Sequence, residues 1–365
     1  VALDLPDFPW DALAPFGVTA RAHPEGIVDL SVGSPVDPVP PVVRAALHEA
    51  ADAHGYPQTS GSPELRAAIV EWYHARGVTD LDADNVIPTI GSKELIALLP
   101  TLLGLGPGDV VVQPTLAYPT YAVGAAIVGA TVLASDEPDE WPAETRLVWL
   151  NSPGNPDGRV HGLDFLRRAV VRARELGAVI ANDECYTELN WASVEPTPTI
   201  LDPAVTQGTR RLTLAVHSLS KRSNLAGYRA GFIAGCSALV GELLAARKHA
   251  GLIPPAPVQH AMAAALRDPG HVVEQRDRYL ARRARLLPAL ESAGLRVDAS
   301  SAGLYLWATR DEDCWATVGT LADAGILVAP GAFYGVAGER HVRVALTATD
   351  ERVDAAVARL ATLSN

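Results

Sequence analysis

Lysine is nearly missing from this chain: its 365 residues include only Lys93, Lys221 and Lys248 among 30 basic side chains, the rest being arginine. Wherever a positive charge is enough, arginine supplies it. Each remaining lysine therefore invites a chemical reason, because an amine can lose its proton and act as nucleophile or base, which a guanidinium cannot. Cysteine is also scarce. Cys185, Cys236 and Cys314 are scattered, odd in number and form no C-x-x-C, which argues against a structural zinc site and for a reducing, cytoplasmic setting. No basic-plus-apolar leader opens the sequence, and no apolar run approaches a membrane span. Positive charge is outnumbered, leaving a net charge of −12, which argues against nucleic acid as the main partner. Anionic small molecules stay open, since a local arginine cluster can override the global field.

What is present is an ordinary globular composition, 48% hydrophobic and 20% charged, in a chain long enough for two domains. From residue 86 the pattern alternates. Val86–Ile90, Asp109–Gln113, Thr131–Ala134, Leu147–Leu150, Ala178–Ala181 and Leu212–Val216 read as strands. Helical patterns at Leu95–Leu103, Pro119–Val128 and Leu163–Leu176 lie between them. Apolar strands alternating with helices indicate an α/β layer around a mostly parallel sheet. Ligands of such sheets bind beyond the carboxyl ends of the strands, and the polar clusters fall there. Tyr118 follows one strand, Asn151 to Pro156 another, Asp183 to Tyr186 a third and Ser218 to Lys221 a fourth. Ahead of this region, helical periodicity runs from Pro41 to Ala53, and Ser62 stands where it can cap the next helix. After it, a long helix from His271 to Ala293, with a possible bend at Pro288, leads to a C-terminal α+β part. That part contains strand-like Gly303–Ala308, Ile326–Ala329 and His341–Leu346, and helices Cys314–Ala324 and Asp350–Leu363.

Three stretches carry chemistry. Lys221 follows Ser218-Leu219-Ser220 at a strand end, with Arg229 eight positions on. Gly91-Ser92-Lys93 joins a strand to a helix start, where free N–H groups and the helix dipole favour an anion. Arg343 lies within the apolar run His341-Val342-Arg343-Val344-Ala345. A buried arginine needs an anionic partner, which is either a protein carboxylate or a ligand. His217, His341 and Cys185 read as structural or packing residues, and Tyr56 as an aromatic on a loop.

Taken in this order, the residues resemble the fold-type-I, class I and II aminotransferases that use pyridoxal 5′-phosphate, over nearly the whole chain. Asn155 to Asp183 is 28 residues, Asp183 to Lys221 is 38, and Tyr186 lies three past Asp183. The resemblance implies a large domain, residues 41–269, with a mostly parallel seven-stranded sheet between helices. It also implies a smaller α+β domain made of residues 1–40 and 270–365. It makes Lys221 the Schiff-base lysine and proton carrier, Asp183 the partner of the pyridine nitrogen, and Tyr186 and Asn155 the donors to the ring oxygen. Tyr118 would stack on the ring. Gly91, Ser92, Lys93, Ser218, Ser220 and Arg229 would surround the phosphate, with Tyr56 reaching it from the second subunit of a homodimer. Arg343, helped by Asn155 and the backbone at Gly33, would grip the substrate α-carboxylate.

Within the family, the stretches Leu30 to Pro40 and Ser218 to Arg229, with Lys221-Arg222-Ser223-Asn224, look like the actinobacterial N-succinyldiaminopimelate aminotransferases of lysine biosynthesis. Glutamate would then be the donor and an N-succinylated oxopimelate the acceptor. Another amino-acid specificity, or a C–S lyase on the same scaffold, remains the alternative. The family's usual Asn-Pro-Thr-Gly is here Asn155-Pro156-Asp157-Gly158. No second arginine for a distal carboxylate stands out, with Arg21, Arg159 and Arg222 as the candidates.

Overall fold

A computed structural model describes residues 3, 5–192 and 196–363. Strands in chain order are β1 (Val28–Asp29), β2 (Val86–Ile90), β3 (Val110–Gln113), β4 (Thr131–Ala134), β5 (Thr145–Asn151), β6 (Val179–Asp183), β7 (Thr213–Ser218) and β8 (Ala230–Gly235). They continue as β9 (Arg296–Asp298), β10 (Tyr305–Thr309), β11 (Ile326–Leu327), β12 (Ala329–Pro330) and β13 (Val342–Ala345). Seven of them form one sheet in the order β2-β8-β7-β6-β5-β3-β4. Its strands run parallel except β8, which is antiparallel to both β2 and β7.

Both faces of the inner strands β5 to β8 are buried, as a parallel sheet requires, while edge strand β4 is mostly exposed. Along β5 the side chains alternate. Val148 and Leu150 join one core with helices Pro63–His74, Leu163–Leu176 and Ala256–Arg267, while Leu147 and Trp149 join another. Helices Gly91–Leu102, Thr120–Val128 and Ser237–Ala250 cover that second face. Leu163–Leu176 shows why such segments are helical. Its buried Leu166, Ala169, Val170 and Ala173 recur on one stripe of the helix, and Gly177 closes it in the left-handed conformation.

A third core lies beyond the sheet. Leu13, Val28 and Leu30 from the N-terminal segment pack there with Tyr279, Leu306, Val344 and Leu360. The sheet β12-β13-β10-β9 forms its floor. β1 pairs in parallel with β11, stitching the N-terminal segment to this C-terminal part.

The sequence reading needs four corrections. β8 was unassigned because two glycines dilute its apolar pattern. Gly231 is needed there, since a Cβ would come within 2.9 Å of the His217 carbonyl oxygen and of the Gly91 backbone. Ile326–Ala329 is two short strands in different sheets, parted at Val328. The helix starting at Pro41 stops at Glu49. The helix Gly270–Ser292 runs unbroken through Pro288. Ser62 caps as expected, its Oγ accepting from the Leu65 N–H at 3.2 Å.

One loop bears on acid stability. The His161 ring stacks on Phe165 at 4.1 Å, and burial, with Arg159 nearby, lowers its pKa to about 4. Between pH 6.5 and about 4 the unfolded chain therefore binds a proton that the folded chain refuses. Stability should fall as pH drops through that window, by up to about 3 kcal/mol from this group. Urea unfolding across the window should show a flatter decline for His161→Phe; parallel declines would remove His161 as a cause.

Candidate active site

Adjacent strand ends set the site. The register puts Asn151, last in β5, beside Asp183, last in β6, and Asp183 beside Val216 of β7. Asn151 then locks the loop that follows. Its Nδ2 donates to the Pro153 and Asp183 carbonyls, and its Oδ1 accepts from the Asn155 N–H at 2.7 Å. Asn155 is thereby fixed above the strand ends.

Beyond β7, Ser218 caps the four-residue helix Leu219–Arg222 that carries Lys221. The Ser218 Oγ accepts from the Ser220 N–H at 3.1 Å and donates to the Ser220 Oγ at 2.8 Å. Across from it the helix Gly91–Leu102 begins with Gly91 at φ +68. A Cβ on Gly91 would lie 2.5 Å from Nη2 of Arg229, so glycine is required for the guanidinium to stand over the helix start. Glu94 in this helix's first turn could compete with an anion for the same dipole. Instead Arg247, fully buried, takes it through two hydrogen bonds of 2.8 and 3.0 Å.

These elements enclose a cavity of about 730 Å³. Lys221, Asp183, Tyr186, Asn155, Tyr118, Ser92, Lys93, Ser218, Ser220, Arg229, Gly33 and Arg343 all line it. Gly91 borders it through Arg229. Tyr56 does not reach it and is fully exposed on its loop. Asp183 accepts from the Tyr121 hydroxyl at 3.0 Å and from the Cys185 N–H at 3.2 Å. Among the described residues no cation forms an ion pair with it, and burial pushes its carboxyl up against the pull of those donors. Burial likewise raises the Tyr186 phenol, whose OH meets the Tyr305 OH at 3.2 Å.

Arg343 is 3% exposed and has no carboxylate partner among the described residues. Its Nη1 donates to Asn155 Oδ1 at 2.9 Å and its Nη2 to the Ser31 carbonyl at 2.7 Å, while Nε has no partner. The guanidinium lies over the Tyr305 ring, 3.9 Å from its centroid, with Tyr334 at 5.0 Å. Rings and neutral acceptors do not cancel a buried charge. The charge of Arg343 is left open to a ligand anion at the cavity. Gly33 has no side chain because a Cβ would run into the Tyr305 hydroxyl.

Pyridoxal phosphate needs a cradle for a dianion, a carboxylate facing a pyridinium, and an amine for its aldehyde. The helix start with Ser92, Ser218, Ser220 and Arg229 meets the first need, unpaired Asp183 the second and Lys221 the third. The residues fit the group.

The three arginines considered for a distal carboxylate are not in this cavity. Arg21 is exposed at the end of helix Ala14–Arg21, and Arg159 is exposed and pairs with Asp157 at 3.6 Å. Arg222 follows Lys221 on its helix, so it points about 100° away and is buried against Glu188 at 2.9 Å. Cys185, expected to be packing, is part of the lining, with Sγ 3.4 Å from Ser92 Oγ. Burial and the neighbouring Asp183 raise its thiol well above its ordinary value. His217 bonds Glu184 at 3.1 Å between aromatic rings, and His341 stacks on Trp307 and bonds Asp298. Both fill structural positions.

Sequence reasoning missed Tyr121, Tyr305 and the wall formed by Leu5 to Trp10. The available signals were Tyr121 three positions after Tyr118, Tyr305 in the strand of Trp307, and the cluster Phe8-Pro9-Trp10. None of these has a periodicity that points to a ligand.

A family model described as "Aminotransferase class I and II" matches residues 25–360. The chain is 56% identical over 358 residues to a Streptomyces rimosus protein named 4-dedimethylamino-4-oxo-anhydrotetracycline transaminase, covering 98% of this chain and 99% of that one. It is 58% identical over 362 residues to a Mycobacterium tuberculosis protein named "Probable aminotransferase Rv1178", covering 99% and 86%. A solved Thermus thermophilus structure, described as a "probable N-succinyldiaminopimelate aminotransferase", superposes with a TM-score of 0.87 at 26% identity, covering 98% of this chain and all of that one.

The cradle makes a direct prediction. Gly91→Ala introduces a Cβ against Arg229 and a left-handed alanine, so affinity for pyridoxal phosphate should drop about tenfold or more. Equilibrium titration of the cofactor-free protein measures this, and an unchanged affinity would place the phosphate elsewhere.

Proposed function

The chain belongs to the class I and II aminotransferases, a family that works with pyridoxal phosphate, and from that premise we propose how its cavity acts and what it accepts. Bound pyridoxal phosphate supplies an electron sink that makes the substrate Cα proton removable. Lys221 would hold the cofactor through its amine and, when that amine is free, would take and return the proton at the substrate Cα. Asp183 would keep a proton on the pyridine nitrogen. Tyr186 and Asn155 would donate to the ring oxygen, and Tyr118 would cover the ring. Ser92, Ser218, Ser220 and Arg229 would hold the phosphate at the Gly91 helix start. The partner's Tyr56 adds a further hydroxyl in a homodimer, which accounts for an aromatic left fully exposed here. Arg343, with Asn155 and the Gly33 backbone, grips the α-carboxylate of donor and acceptor alike.

One observation carries this reading: Arg343 is a buried guanidinium bordering the cavity with no carboxylate partner among the described residues. An α-carboxylate supplies the missing charge in bidentate form.

For the substrates, the reading is transfer from glutamate to N-succinyl-2-amino-6-oxopimelate. The cavity's size supports a long acceptor. So does Lys93, a lining cation whose Nζ lies 5.6 Å from the Phe8 ring centroid. That position, facing the N-terminal wall, suits a distal carboxylate better than the phosphate. A second reading has its own support. Leu5, Pro6, Phe8, Pro9 and Trp10 make much of that wall apolar, which suits a bulky, less charged ketone of the kind the S. rimosus relative is named for.

Comparing kcat/KM for the succinylated oxopimelate with that for a bulky polycyclic ketone separates the two readings, and pyruvate with ammonia released from cystathionine would indicate a lyase instead. Lys93→Met should raise KM for the succinylated acceptor about tenfold or more and leave pyruvate's unchanged. Equal loss on both would remove Lys93 from that role. Arg343→Ala should cut kcat/KM for donor and acceptor alike by about 100-fold; a loss confined to one substrate would contradict the shared grip.

A further inference from the structure

The residues directly after Lys221 are the motif that the cavity leaves unused. Arg222, Ser223 and Asn224 all turn away from it, and all are buried. Arg222 is held by Glu188 and donates from Nη2 to the Ala265 carbonyl at 3.3 Å. Ser223 Oγ meets Nε2 of His271 at 2.8 Å. Asn224 Nδ2 donates to Gln275 Oε1 at 2.9 Å and to the Pro38 carbonyl at 3.2 Å.

His271 and Gln275 lie four residues apart, on one face of the long helix Gly270–Ser292. Gln275 passes the contact on, because its Nε2 donates to Asp37 Oδ2 at 2.8 Å. Further along the same face, Arg282 takes both oxygens of Asp37 at 2.6 and 2.8 Å and also reaches Asp350. A continuous polar seam, buried from Ser223 to Gln275 and partly buried at Asp37, therefore joins the lysine's turn to the helix leading into the C-terminal sheet, and to the N-terminal segment that carries Ser31 and Gly33. The seam is built for fixed geometry. Asn224 sits at φ 55, a conformation that favours asparagine or glycine, and its carboxamide makes two bonds at once. Burial and the Arg222 guanidinium keep His271 below its ordinary value.

We infer that Asn224 and Gln275, backed by Ser223–His271 and Asp37, are positioning residues for Lys221. They fix the lysine-bearing turn against the helix to which the C-terminal part is attached, so that the amine's place is set by where that helix sits. Apolar side chains of the same volume could fill this space without the bond directions. The polar seam is what specifies one orientation of the turn.

The inference rests on Lys221 carrying the cofactor. Borohydride reduction of the loaded protein followed by peptide mapping checks that premise separately, and label on Lys93 or Lys248 would overturn both. The test variants are Gln275→Met, which keeps the volume, and Asn224→Gly, which keeps the backbone conformation. Arg285→Met is the control, on the same helix but at its half-exposed Asp350 and Asp354 contacts.

In cofactor-free Gln275→Met and Asn224→Gly, backbone amides of residues 219–226 should exchange about tenfold faster. In the loaded proteins, the pH midpoint of the visible cofactor band should move by about half a unit or more. Turnover should fall about tenfold or more with the donor KM little changed. The control should show none of these effects. Unchanged exchange would mean that the seam does not hold the turn. Faster exchange with an unmoved midpoint and turnover would reduce it to a structural contact. Either result overturns the inference.

Discussion

Two buried charges without counter-charges shape this molecule. Arg343 and Asp183 line one cavity, and neither has an ionic partner among the described residues. Burying a lone ion costs several kcal/mol even after relaxation, and a fold seeking only stability would have paired or replaced both. Instead each is held by neutral groups that fix its direction without cancelling it. Asp183 accepts from Tyr121 and the Cys185 amide, and Arg343 donates to the Asn155 side-chain oxygen and the Ser31 carbonyl. The surrounding architecture keeps that arrangement in place. The seven-stranded sheet holds the carboxylate at a strand end, and the C-terminal sheet holds the guanidinium on β13.

The same logic explains how charges near the site are treated. Those that would interfere are neutralised locally, as Arg247 does for Glu94 at the start of the helix Gly91–Leu102. Glu188, which burial alone would raise, is held below its ordinary value by Arg222 and Arg76. Charges that must meet a ligand are left open. The scarcity of lysine becomes legible in this light. Two of the three lysines line the cavity, and the third, Lys248, lies in the last turn of the helix Ser237–Ala250, where a cation suits the dipole.

Much of this could be read before any coordinates. Strands β2 to β7 announce themselves by apolar runs, and the polar residues closing them are the ones that gather at the cavity. What escaped the sequence was what depends on direction and on distant packing. Arg222 reads as a free cation beside Lys221 until the helix turn sends it to Glu188. Strand β8 is hidden because Gly231 must be small where backbones meet. Cys185 looks like filler until Ser92 is brought beside it from 93 positions away. The N-terminal wall, irregular and proline-rich, has no period to read, and only tertiary packing places Trp10 near Arg343 and Phe333.

The central claim is that Lys221 sits in a cavity arranged for two-step amino transfer. It is tested most directly by one half-reaction. Protein loaded with pyridoxal phosphate is mixed with excess glutamate and no acceptor, while the visible band of the lysine-bound cofactor is followed. The account predicts that the band disappears, and that it returns when an N-succinylated oxopimelate is added. A band that neither glutamate nor any other amino acid discharges would contradict it.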